Sequence, residues 1–237
     1  MRCKETILDI LFPPKCAFCG KLMPHTGGGV CGTCAQHLPW REEGEALLRV
    51  NGLDCAVAFY YEDMVKAGVH ALKFGKKSNR AAVFGRYVAQ TAAEYLGGQF
   101  DAVTFVPVSA RRNFTRGFDQ ARLLAEAAAR VWGVKAESTL KKVRNNRPQS
   151  TVKTPEERRE NVQGAYRVRK GARVAGRRFL LIDDVLTTGS TMAACAETLL
   201  DAGAASVVCA ALAGGHPSPA PRASSGDTGT PLDFAAL

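Results

Sequence analysis

Apolar positions along the chain fall into two alternating patterns. The segment DCAVAFYYED at residues 54–63 is compact and rich in β-formers, which predicts a strand. In EDMVKAGVHALKFGKK, residues 62–77, apolar side chains recur every three or four positions and predict an amphipathic helix. RAAVFGRYVAQTAAEYLGG predicts a longer helix that stops at Gly97 and Gly98. FDAVTFVPVS then predicts a strand closed by Pro107, and FDQARLLAEAAARVWG a strongly periodic helix ending at Gly133. After GAYRV, the run RRFLLIDDV predicts a buried strand, STMAACAETLLDAGA a helix and SVVCAALAGG another strand. This alternation predicts an α/β fold with a parallel sheet flanked by helices.

Three stretches fall outside the pattern. Residues 1–45 hold four clustered cysteines, four prolines and the run Gly27-Gly28-Gly29 with little periodicity, as expected of a small metal-held module. Between Lys141 and Asn161 apolar anchors are few, and NNRPQS and TPEERREN predict a long loop of the kind that is usually functional or disordered. From His216 to Leu237 the chain is mostly Pro, Ser, Ala and Gly, which predicts a disordered tail. The expected organisation is therefore a module at 1–45, a main domain at 46–215 and a tail at 216–237.

Composition adds two points. With 237 residues, 46% of them hydrophobic, the chain can bury a substantial core. The apolar run near the start is interrupted by Asp9 and ended by Pro13 and Pro14, too weak for a secretory signal, and later apolar stretches such as Ala202 to Ala213 are too short to span a bilayer. A soluble, cytoplasmic protein without a membrane span is expected. The net charge of +10 is confined to one segment. Residues 135–178 carry 14 Lys/Arg against 4 Asp/Glu, while the remainder balances at 18 against 18. Such a segment is either a solvated basic loop or a surface for phosphate, pyrophosphate or nucleic acid.

The sharpest motif is LLIDDVLTTGST at Leu180 to Thr191. Leu180 to Ile182 supply a buried strand, Asp183 and Asp184 stand at its end, and Thr187 to Thr191 form a turn of small residues into a helix beginning near Met192. Ligands bind at this end of strands in parallel sheets. Successive backbone N–H groups in such a turn, together with the helix N-terminus, suit a phosphate. Thr187, Thr188, Ser190 and Thr191 add hydroxyls, and Gly189 permits close approach. The two carboxylates repel phosphate and suit sugar hydroxyls or Mg²⁺.

This segment resembles the fingerprint of the type I phosphoribosyltransferases: an apolar strand, two acids and a TTG-type phosphate loop. The resemblance implies that Asp183 and Asp184 contact the ribose hydroxyls of phosphoribosyl pyrophosphate, that Thr187, Thr188, Gly189, Ser190 and Thr191 hold its 5-phosphate, and that Mg²⁺ binds mainly through the substrate's oxygens. More of the chain is similar to one branch, the ComF family of competence-associated, amidophosphoribosyltransferase-like proteins. The matching pieces are the cysteine knuckles, HALKF at His70 to Phe74, VPVSARRNFTRGFDQARLLA at Val106 to Ala125 and RRENVQGAYRV at Arg158 to Val168, in the family's order. By analogy with the wider fold, the turn after Val108 stands in the place of the pyrophosphate loop and the segment from Arg144 to Arg159 in that of the flexible catalytic loop. Arg111, Arg112, Arg116, Arg144, Arg147, Arg158, Arg159 and Lys73 are then candidates for pyrophosphate or nucleic-acid contact, a solvated basic surface being the alternative. No pocket for a nucleobase or amine acceptor is legible.

CAFC at Cys16 to Cys19 and CGTC at Cys31 to Cys34 offer four thiolates, enough for a closed tetrahedral zinc site, with disulfide or redox chemistry as the alternative. Gly20 and Gly32 are expected in the knuckle turns, and His25 and His37 on the surface. Cys3, Cys55, Cys195 and Cys209 lie in or near apolar surroundings and read as small buried hydrophobes. Two functions emerge: a zinc-ribbon protein of single-stranded DNA handling or uptake, working with competence machinery, and a Mg²⁺-dependent phosphoribosyltransferase with an unidentified acceptor.

Overall fold

A computed structural model describes residues 14–23, 28–42, 44–74, 79–108, 119–144 and 164–216. In chain order the elements are α1 (Gly32–Gln36), β1 (Leu47–Val50), β2 (Leu53–Tyr60), α2 (Asp63–Phe74), α3 (Asn79–Leu96), β3 (Ala102–Phe105), α4 (Gln120–Val131), β4 (Ala136–Glu137), β5 (Leu140–Lys142), β6 (Tyr166–Val168), β7 (Arg178–Leu186), α5 (Ser190–Asp201) and β8 (Ser206–Gly214). Six strands form one sheet in the order β1-β2-β8-β7-β3-β4, and β5 and β6 form a separate hairpin. All neighbours in the large sheet are parallel except β1, which runs antiparallel to β2 at the edge. The strand at 53–60 and the crossovers through amphipathic helices were legible as patterns. The four-residue β1 and the two-residue β4 are too short to show a period.

Central strands are apolar on both faces because both are covered. Along β7, Leu180 and Ile182 face one core while Phe179 and Leu181 face the other, and β8 alternates likewise with Val208, Ala210 and Leu212 against Val207, Cys209 and Ala211. The first core takes Leu72 of α2, Phe84 of α3 and Leu124 of α4, and the second takes Met192, Cys195 and Leu199 of α5 with Leu140 and Tyr166 of the hairpin. Cys55, Cys195 and Cys209 are fully buried in the second core.

Residues 14–23 and 28–42 are built into the first core. Phe18 packs on Phe84 at 5.1 Å and edge-on to Phe59 at 5.9 Å between ring centroids. Gly68 of α2 lets this happen, since a Cβ there would lie 2.8 Å from Phe84 Cζ and 3.3 Å from the Ala17 carbonyl. Arg80 Nε donates to that carbonyl at 2.8 Å. Buried Arg41 donates to the carbonyl oxygens of Glu45 and Gly215 and lies over the Tyr60 ring, tying the segment after α1 to the end of β8.

Candidate functional site

The acid pair belongs to a strand longer than its apolar run suggests. β7 continues through Asp183 and Asp184 to Leu186, and α5 begins at Ser190 rather than near Met192, so Thr187 to Gly189 alone make the turn. The cause is β8, whose register with β7 persists to Leu186↔Gly214, whereas that with β3 ends at Phe105↔Ile182. On the β3 side the carboxyl end of β7 therefore borders a step in the sheet, the position where α/β sheets bind ligands.

Three carboxylates gather at this end. Asp183 accepts from the Asp184 N–H at 2.8 Å and Asp184 from the Val185 N–H at 2.9 Å. Asp119, the N-cap of α4, accepts from the Arg122 N–H at 3.2 Å and from the Val108 N–H at 3.0 Å. It thereby ties the chain leaving β3 to the start of α4. Burial pushes the Asp183 carboxyl well above the usual range, and repulsion from Asp184 and Asp119 adds to this. Burial also raises Asp119, against its two backbone donors, and Asp184 adds to the rise. Asp119 was not among the expected site residues. Its place before a periodic helix marks it as a cap, but nothing local reveals that it faces the acid pair.

The turn is shaped around Gly189, whose φ of 71° lies in the left-handed region. The Thr188 and Ser190 hydroxyls are 2.9 Å apart, and Ser190 is buried while Thr187 is exposed. Asn51, in the β1–β2 turn, donates from Nδ2 to the Thr188 carbonyl at 3.1 Å, a brace that the sequence pattern did not indicate. A Cβ at position 189 would lie 2.3 Å from Val50 Cγ1. Gly189→Ala is therefore expected to destabilise the protein by about 2–4 kcal/mol through left-handed strain and overpacking, read as a lower midpoint in urea.

The four cysteines of the amino-terminal module converge: the Sγ atoms of Cys16, Cys19, Cys31 and Cys34 all lie within 4.8 Å of one another. Cys19 and Cys31 Sγ are 3.7 Å apart, close to the edge of about 3.8 Å of a tetrahedron with 2.3 Å zinc–sulfur bonds. Burial alone would push the Cys16 thiol up, but the N–H groups of Cys31, Cys19 and Phe18 outweigh it and bring the thiol down to about 6. Burial and the neighbouring sulfurs push Cys34 up. The set fits one structural zinc ion with no open position. Gly20 does take a positive φ of 75°, whereas Gly32 opens α1 instead of making a knuckle turn. His37 is exposed and bonded through Nδ1 to the Thr33 carbonyl. Among the described residues no other group of three or more His, Cys, Asp or Glu is close enough to share an ion, so the three aspartates do not form a metal cage.

Of the basic candidates, Arg144 is exposed just beyond β5. Lys73 belongs to α2 by its backbone, its side chain lying outside the described set. Arg111, Arg112, Arg116, Arg147, Arg158 and Arg159 lie outside the described residues, as do Cys3, His25, most of the expected long loop and the tail beyond His216. Among the described residues no helix is long and apolar enough to cross a membrane.

Comparison with known proteins finds two family matches along the chain. The family described as Phosphoribosyl transferase domain matches residues 118–231, and that described as Double zinc ribbon domain matches residues 7–45. The second segment contains four cysteines, a complete set for one ion. The DNA utilization protein YhgH of Salmonella typhimurium is 34% identical over 183 residues, covering 75% of this chain and 74% of its own. The protein of the same name from Escherichia coli K12 is 32% identical over 199 residues, covering 81% and 80%. Competence protein ComFC of Bacillus subtilis is 28% identical over 195 residues, covering 81% and 74%.

Proposed function

Because the chain belongs to the ComF family, with a phosphoribosyltransferase domain behind an amino-terminal zinc ribbon, we propose that the step beside β7 holds phosphoribosyl pyrophosphate and serves the handling or uptake of single-stranded DNA. The observation that carries the donor site is the Gly189 turn, pinned by Asn51 and Val50 and leading directly into α5. Backbone N–H groups of the turn, the Thr188 and Ser190 hydroxyls and the amino end of α5 supply donors and a favourable dipole for the 5-phosphate. Asp183 and Asp184 accept from ribose hydroxyls. Mg²⁺ would be carried on the pyrophosphate oxygens, where it would supply charge neutralisation. Asp119 positions the backbone at Val108 beside the donor. Calorimetric titration with phosphoribosyl pyrophosphate and Mg²⁺ tests the site: saturable binding is expected, and none would remove this reading.

The role in DNA handling follows the names of the relatives and the basic segment from Lys135 to Arg178. Affinity for oligothymidylate is expected to fall with salt, with a log–log slope of about 0.7 per phosphate contacted. Salt-insensitive or absent binding would count against it.

A second reading, an active phosphoribosyltransferase in nucleotide or amine metabolism, is favoured by the same turn and acid pair. It requires pyrophosphate release on incubation with the donor and a panel of bases and amines. Donor binding with no release across the panel overturns it and leaves the binding role standing.

A further inference from the structure

The basic segment has a second feature that the sugar-phosphate site does not use. Arg177 precedes the first residue of β7, six residues of extended chain before Asp183, a span of about 20 Å. A cavity of about 680 Å³ opens there, between the edge strand β4 and the turn joining β6 to β7. Its lining includes Arg169, Lys170, Arg173 and Arg177 against a single acid, Glu137.

Glu137 is already engaged. Arg177 forks onto it with Nη2–Oε1 at 2.7 Å and Nη1–Oε2 at 2.9 Å, and the guanidinium also lies over the Phe179 ring at 5.2 Å. This pair forms a fixed, nearly neutral wall. Arg169 is held by its Nε bond to the Leu140 carbonyl at 3.0 Å. Arg169, Lys170 and Arg173 are exposed around the opening, so three positive charges converge there with no further acid in the described lining. Nearby, Lys141 and Arg167 stand directly opposite each other in the β5–β6 register, both exposed. They lie outside the lining of the cleft and add to the positive charge of the same hairpin.

We propose that this cleft binds a compact anion bearing two or more phosphates, at a site separate from the sugar-phosphate turn. Its volume falls within the range of about 300–1,000 Å³ typical of small-ligand cavities. Two guanidinium groups and an ammonium offer the forked and point donors that phosphate oxygens accept. The proposal does not depend on the donor site: Arg177 and the acid pair lie toward opposite ends of β7.

The test follows amide NMR signals of Lys170, Gly171 and Ala172 during titration of the full chain with inorganic tripolyphosphate. Those signals are expected to shift saturably in the wild type and equally in Asp183→Asn/Asp184→Asn, which separates the cleft from the donor site. In Arg169→Glu/Arg173→Glu the apparent Kd is expected to rise about tenfold or more. If that variant does not fold, Arg173→Gln carries the same test with a smaller loss. Unmoved signals in the wild type, shifts that require the acid pair, or unchanged affinity in the folded cleft variants would each overturn the proposal. Shifts caused by oligothymidylate and not by tripolyphosphate would overturn it too, in favour of an extended strand.

Discussion

Replacing Asp183 and Asp184 together by Asn is expected to abolish donor binding while raising the melting temperature at neutral pH. The two effects have one cause. Three carboxylates meet at the end of β7, and burial together with mutual repulsion holds Asp183 well above the usual carboxylate range. A carboxyl whose folded-state pKa is raised opposes folding once ionised: its cost is absent below the unfolded value and grows as pH rises toward the folded one. The amide removes that charge and keeps an Oδ1 acceptor for the Asp184 and Val185 N–H groups. A gain of a few degrees is expected at neutral pH, shrinking toward zero as the pH falls below about 3.8, where the wild-type group becomes protonated in both states. The donor loses two charge-assisted hydrogen bonds of about 1.5–3 kcal/mol each, so affinity should drop by at least about 100-fold. Calorimetry and thermal melts on a pH series read both. Equal binding by variant and wild type would show that the ribose sits elsewhere, and a lower melting temperature at neutral pH would show that the carboxylates stabilise the fold.

The relation between sequence and site explains why this cluster was only partly visible. Asp183 and Asp184 announce themselves because polarity ends an apolar run abruptly, and the Thr-Thr-Gly-Ser-Thr turn follows within the same short segment. What joins them comes from far along the chain. Asp119 looks like an ordinary helix cap, and only the β3–β7 register brings it to the acid pair. Asn51 sits in the turn after β1, a strand too short to carry a period, yet it holds the Thr188 carbonyl across 137 residues of sequence. Strand β7 itself was legible as the run RRFLLIDDV, which already reaches Val185; two acids resemble a strand end, but pairing with β8 continues past them to Leu186 regardless of their polarity. Local chemistry is legible in local sequence, whereas the partners that position it depend on sheet order.

The same contrast governs the zinc module, whose cysteine spacing is plain while its packing is not. Stripping the metal with a chelator, or replacing Cys16 and Cys34 by Ser, is expected to unfold the main domain along with the module. Residues 14–23 and 28–42 do not hang on a linker: Cys16, Ala17, Phe18 and Cys34 are buried in the core that also contains Phe59 of β2 and Phe84 of α3. Structural zinc supplies about 10–16 kcal/mol in small finger peptides, comparable to the whole stability of a typical domain at about 5–15 kcal/mol. Losing it frees the knuckle that holds Phe18 between β2 and α3. Phe18→Ala with metal bound should itself cost about 3–5 kcal/mol and lower the single melting transition, not create a second one. Metal analysis with melts before and after chelation decides the matter. If the stripped protein keeps the wild-type transition, or if no ion copurifies with the four thiols, the module is a covering on an independently stable domain. If the transition is lost as a whole, the metal holds together the first core, against which β7, the strand that carries the acid pair, packs through Leu180 and Ile182.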